Sequence, residues 1–280
     1  MQLVRHDLTT NNDIIKLYAF GDLHIASQAF DKKAFLKLVK EIKESNGYWI
    51  GMGDFGECIP VSDRRFDPDS IRETYRDQLP RYHQLEVLEL KDMLEPIRDK
   101  CLGVLEGNHE VNLRSSQFDM MWELCNYFRW HNLTADAFIK LNITNPIRQK
   151  DLDLDFFVAH GYGAARTKGG NVAKLQRVMD AFLADVILVG HSHVSQPIID
   201  NKLRLKKRTK EPKLESKIRL GFIVPSFYRT YYQGIDTYAS RALYSPSVIG
   251  AWRATIKWQY TRKGDKLIVE SPITNAELLV

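Results

Sequence analysis

Ile14-Ile15-Lys16-Leu17-Tyr18-Ala19-Phe20-Gly21-Asp22-Leu23-His24 is the stretch that decides the fold. Its seven-residue, mostly apolar opening suits a buried strand. The glycine permits a sharp turn, and two polar groups, Asp22 and His24, follow it two residues apart. The same pattern returns downstream. Residues 48–52 run into Gly53-Asp54 and 101–105 into Glu106-Gly107-Asn108-His109-Glu110. Residues 154–159 run into His160-Gly161 and 186–189 into Gly190-His191-Ser192-His193. In open α/β sheets, ligands bind beyond the carboxyl ends of the strands, so five such ends can converge on one site.

Between these strands the sequence predicts helices. Over 31–44, Phe35, Leu38, Val39 and Ile42 share one face and Asp31 is a natural N-cap. Further helices are expected over 81–94, 118–128 and 171–183, the last capped by Asn171. Residues 55–100 read as an excursion from the core: 55–80 is polar and is punctuated by Pro60, Pro68 and Pro80. Another strand is expected over 138–144. From 197 to 270 the pattern is β-rich, with strands expected over 197–206, 217–224, 250–260 and 267–270. We expect residues 1–280 to form a single domain.

The chain has 280 residues, 44% of them hydrophobic, enough to bury a core. No apolar run approaches a membrane span, and the N-terminus carries no apolar signal core. Its three cysteines, Cys58, Cys101 and Cys125, make no close pair, which points to a reducing compartment; we expect a cytoplasmic protein without a membrane partner. The net charge is +5, unevenly spread. Residues 202–219 hold nine basic and two acidic side chains, a local +7 that leaves −2 on the rest.

The strand-end clusters offer two aspartates, one carboxamide and five imidazoles. A mixed imidazole and carboxylate set suits Zn, Fe or Mn rather than a calcium site built from oxygen alone. Alone, each residue has a plainer reading: Asp22 or Asp54 as a cap or turn residue, Asn108 as a turn residue, His160 as a satisfied core histidine. Five clusters in one order outweigh those readings together.

That ordered set, D-x-H, G-D, G-N-H-[DE], H-G and G-H-x-H, resembles the calcineurin-like metallophosphoesterases over roughly residues 14–195. The resemblance implies an α+β, four-layer metallophosphoesterase fold, a two-sheet β-sandwich flanked by helices. It implies two divalent metal ions, Mn favoured over Fe or Zn. Asp22, His24, Asp54 and His193 would hold one, and Asp54, Asn108, His160 and His191 the other, with Asp54 bridging. His109 would sit at the scissile phosphate with Asn108, and Glu57 would orient it. The implied reaction is phosphoester hydrolysis by a two-metal-activated hydroxide, with His109 as charge stabiliser or general acid. The Ser/Thr protein phosphatases of the superfamily carry an arginine in G-D-x-x-D-R; Cys58 stands there, which argues against that activity.

Substrate signals are weaker. The 202–219 run is a solvated hairpin or an electrostatic footprint for nucleic acid. The run Phe227-Tyr228-Arg229-Thr230-Tyr231-Tyr232 reads as core packing or as a stacking surface for single-stranded nucleic acid. Arg166 and Lys168, past His160 in a glycine-rich turn, read as a grip on a substrate phosphate or as a solvated loop. These features favour a phosphodiesterase or nuclease acting on nucleic acid or nucleotides; the alternatives are a small-molecule phosphomonoesterase and a non-catalytic module on the same fold.

Overall fold

The computed structural model describes residues 1–280 apart from 13, 65, 115–116, 148–149, 164, 166, 206–210, 236, 258–276 and 279–280. In chain order the elements are β1 (Gln2–Thr9), β2 (Ile14–Phe20), α1 (Lys32–Ser45), β3 (Tyr48–Gly51), α2 (Glu73–Arg76), α3 (Tyr82–Leu94), β4 (Cys101–Val104), α4 (Asn108–Leu113) and α5 (Met120–Phe128). They continue with β5 (Asp136–Asn145), β6 (Lys150–Ala159), α6 (Lys168–Ala181), β7 (Val186–Val189), β8 (Gln196–Leu205), β9 (Leu214–Ile223), α7 (Tyr238–Arg241), β10 (Trp252–Lys257) and β11 (Glu277–Leu278). Among the described residues no helix is long and apolar enough to cross a membrane.

The strands form two mixed sheets, ordered β1-β5-β6-β7-β9-β8 and β11-β10-β2-β3-β4. Strand alternation sends every second side chain inward. Ile15, Leu17 and Ala19 of β2 therefore meet Ile139, Leu141, Leu154, Phe156 and Leu188 of the other sheet in one buried cluster. The opposite faces are covered by helices. Phe35, Leu38, Val39 and Ile42 of α1 pack with α3 and α5 on Phe20 and Trp49. Leu175 and Met179 of α6 pack on Phe157, Ile187 and Val189. The result is the expected α+β sandwich, helix–sheet–sheet–helix.

Local chemistry sets the elements. Asp31 caps α1 by accepting the Ala34 N–H at 3.0 Å, and Asn46 ends it in the left-handed region. Two readings change. The cap of α6 is Thr167, whose hydroxyl accepts the Gly170 N–H at 3.1 Å; Asn171 is buried inside the helix and donates to the Ala165 carbonyl. Gly169 and Gly170 thus belong to its first turn, where a glycine costs less than in a helix interior. The strand β1, parallel to β5, has no counterpart in the sequence reading. Its exposed positions carry Arg5 and Asp7, and no apolar run marks it. The strand expected over 267–270 lies outside the described residues.

Candidate metal centre

Strands β2, β3 and β4 run parallel, as do β6, β7 and β9. The carboxyl ends of both sets therefore meet at one edge of the sandwich. Backbone bonds stitch the ends together: Asp22 N–H donates to the Gly53 carbonyl at 2.8 Å, and Leu23 and His24 N–H donate to that of Asp54. Side chains tie sheet to sheet. Asp22 Oδ2 accepts the His191 N–H at 3.0 Å, and His160 Nδ1 donates to the Met52 carbonyl at 2.7 Å.

Asp22, His24, Asp54, His191 and His193 all have positive φ, between 47° and 68°. Asp and His tolerate this region better than most residues, but each such conformation costs about 1–3 kcal/mol. It turns the side chain back over the strand end. Gly107 lets Asp54 approach: a Cβ there would fall 1.9 Å from Asp54 Oδ1.

Two donor sets result, each with ligand atoms within 4.8 Å of one another: Asp22, His24 and His193, and Asp54, His160 and His191. Asn108 Oδ1 lies 3.3 Å from His160 Nε2, beside the second set. His109 also comes within ligand reach of His24 and Asp54. The fit to cations is visible in what the protein leaves unpaired. Asp22 Oδ1 and His24 Nδ1 have only ion-pair neighbours at 3.3 Å, His193 and Glu57, and no well-aligned hydrogen bond, while His24 Nε2 and His191 Nδ1 are buried without a hydrogen-bond partner, a costly arrangement unless an ion takes them up.

The electrostatics agree. Asp22 and Asp54 are 0% and 1% exposed. Burial works against their charge, yet His193 and His160 hold Asp22 low, and His160 and His109 hold Asp54 well below the usual carboxylate range. His160 is also penalised by burial, but Asp54 at 3.2 Å pushes it up to about 10. A proton on His160 thus supplies the cation the buried carboxylates require. His191, desolvated beside His160, falls to about 4 and stays neutral, the form a metal takes.

The residues around the donors are less legible from sequence. Glu57 reaches His109 through its backbone: its carbonyl accepts from His109 Nδ1 at 2.5 Å. Its carboxylate instead lies 3.3 Å from His24 Nδ1, so the expected side-chain contact between Glu57 and His109 is corrected to a main-chain one. The carboxylate that ties the site's loops together is Glu110. Buried in the first turn of α4, it accepts four backbone N–H groups, from Asp54 (3.0 Å), Phe55 (2.6 Å), Gly56 (3.3 Å) and Gly107 (2.8 Å). Burial beside Asp54 pushes its carboxyl up to about 7 against the pull of these donors. For His109, burial disfavours the imidazolium, but Asp54 and Glu57 outweigh it and raise the pKa.

The aromatic run at 227–232 divides. Phe227 packs edge-on to Phe35 in the core. Tyr228 is half-buried at the rim, its ring 5.4 Å from that of His24 and 5.5 Å from that of His193. Arg229 pairs with Asp31, and Tyr231 and Tyr232 are half exposed. Of the expected phosphate grips, Arg166 lies outside the described residues, and Lys168 is exposed at the start of α6. The basic run leads away from the site. Strand β8 starts at Gln196, opposite Ile223, and reaches Leu205 opposite Leu214, about 30 Å farther for ten residues. Lys202 pairs with Asp180 and Asp200, Arg204 with Glu215, Lys217 with Asp185 and Arg219 with Asp200. Residues 206–210, the middle of the run, lie outside the described residues.

A site of buried carboxylates and imidazoles at the strand ends of such a sandwich defines a metal-dependent phosphoesterase class. The sequence profile described as calcineurin-like phosphoesterase matches residues 15–195, and the chain belongs to that family. No curated protein matches it. Among solved structures it is similar to a conserved Streptococcus pneumoniae TIGR4 protein described as a predicted phosphoesterase, at 12% identity and a TM-score of 0.34 over 88% of this chain and 86% of that one. It is also similar to GAP50, the anchor in the inner membrane complex of Plasmodium, at 11% identity and a TM-score of 0.41 over 92% and 87%.

Proposed function

We propose that the protein hydrolyses phosphoesters at a two-metal centre formed by Asp22, His24, Asp54 and His193 on one side and Asp54, Asn108, His160 and His191 on the other. The observation that carries this reading is the convergence of two buried imidazole and carboxylate donor sets on Asp54, with His24 and His191 ring nitrogens left without hydrogen bonds. Bound there, divalent ions would lower the pKa of water toward neutrality and neutralise charge on the phosphate. The protein's own groups do the rest. Asp54 faces both sets, and His160, tied through Nδ1 to Met52, keeps Nε2 directed at them. His109, anchored at Nδ1 on the Glu57 carbonyl and raised in pKa by Asp54 and Glu57, would donate a proton to the leaving oxygen. Manganese is our favoured metal.

For substrate, the case for nucleic acid rested largely on residues 202–219. Four of the five described cations of that run, Lys202, Arg204, Lys217 and Arg219, are ion-paired and lie on a hairpin that leaves the site, so we favour a small phosphorylated molecule over a polymer. The half-buried Tyr228 at the rim supports an organic moiety beside the phosphate. The test is metal analysis with hydrolysis of nitrophenyl phosphates and single-stranded DNA and RNA. Asp54→Asn is expected to lose turnover and at least one of two bound ions. Metal content that stays at trace level with every divalent ion supplied would refute the centre.

A further inference from the structure

The ammonium of Lys174 lies beside the turn after His160, at the edge of the candidate centre, without a carboxylate partner. Lys174 sits in the second turn of α6, half-buried. Its Nζ donates to the Gly163 carbonyl at 2.8 Å. A Cβ built on Gly161, the residue after His160, would fall 3.6 Å from that nitrogen and equally far from the Gly190 carbonyl. The amine is thus lodged beside the turn that presents His160, next to Gly161 and Gly163. Among the described residues it makes no ion pair, in contrast to Lys202, Arg204, Lys217, Arg219 and Arg229. One of its three donors is used. A partly desolvated ammonium with two open donors and no counterion is an anion site. Burial lowers its pKa against the attraction of Asp22.

We propose that Lys174 binds a non-bridging oxygen of the substrate phosphate and selects phosphomonoesters over diesters. This deepens the two-metal reading and rests on it. Two oxygens of a phosphate can face a pair of cations. A monoester carries a further charged oxygen that needs a partner of its own, whereas a diester has an ester group in that place. A lysine at the edge of the donor sets meets that third oxygen. A charged hydrogen bond of this kind changes affinity by about 10–100-fold. No sequence motif marks Lys174, because it reaches the site only through the packing of α6 on β6 and β7.

The experiment compares wild type, Lys174→Met and Lys174→Arg, each loaded with Mn²⁺. Metal content, calorimetric affinity for inorganic phosphate, and kcat/KM on mono- and bis-nitrophenyl phosphate are measured. Lys174→Met is expected to keep wild-type metal content, to weaken phosphate binding about 10–100-fold and to lose monoester kcat/KM by a similar factor. Its diester kcat/KM should stay within about threefold, and Lys174→Arg should fall between. Intact metal binding with unchanged phosphate affinity overturns the role of Lys174 alone. Equal loss on both esters overturns the selectivity. A wild type that binds no divalent ion overturns the centre and this proposal together.

Discussion

Glu110 gathers the loops of the site onto one carboxylate, and replacing it with glutamine should show what that is worth. Oε1 accepts the N–H of Phe55 and Gly56, and Oε2 accepts those of Asp54 and Gly107. Glutamine keeps one acceptor oxygen. If that oxygen stays with Phe55 and Gly56, the amide nitrogen faces the N–H groups of Asp54 and Gly107, donor against donor. Two buried donors left unpaired cost about 1–3 kcal/mol each, so Glu110→Gln should lose about 2–6 kcal/mol, a large part of a typical stability of about 5–15 kcal/mol. The assay is urea unfolding of chelated protein at pH 8, above the raised carboxyl pKa of about 7, with thermal melting of metal-loaded protein as a second measure. Metal content should also fall, because the Asp54 N–H is one of the released donors. A variant within about 0.5 kcal/mol of wild type, the range of ordinary surface changes, and with full metal content would refute this account of Glu110.

His109→Ala should retain both metals and lose about 10²–10³ in kcat, the usual cost of one transition-state donor; metal loss equal to that of Asp54→Asn would show that His109 is a ligand. In chelated protein, His160 is raised from 6.5 to about 10, so its contribution is full below pH 6.5 and is lost as pH rises through 10. Unfolding measured between pH 7 and 10 should therefore show stability falling with pH in wild type, with a flatter slope in His160→Gln. Parallel slopes would argue against a charged His160.

The five strand-end clusters were legible because each is a local event: an apolar run, a glycine, then ligand-type side chains. Short range also explains the α1 face and its Asp31 cap. What escaped depends on residues that meet only in the folded chain. Lys174 reaches the turn after His160 from a helix, Tyr228 reaches His24 from the segment after β9, and Glu110 serves amides more than fifty residues away. Strand β1 escaped because its alternating charged positions mask it, and its partner β5 lies more than a hundred residues on. The cap of α6 was misplaced because a glycine pair read as a turn also fits a first helical turn.

The same contrast explains why the centre is built before any ion arrives. Left-handed conformations at Asp22, His24, Asp54, His191 and His193 cost energy that a flexible chain would release. They persist because neighbouring strands fix the backbone: Gly53 and Asp54 carbonyls hold Asp22 to His24, Asp22 holds the His191 N–H, and Glu110 holds Asp54 to Gly56. Each of these bonds joins a ligand-bearing turn to another turn rather than to its own strand. A ligand turn therefore cannot relax alone, and the donor atoms stay converged around like charges that only a cation, or the proton on His160, can offset. Geometry is set by the sandwich and charge is balanced by what binds, so changes at Gly107 or Glu110 are expected to lower metal content although neither residue is among the proposed ligands.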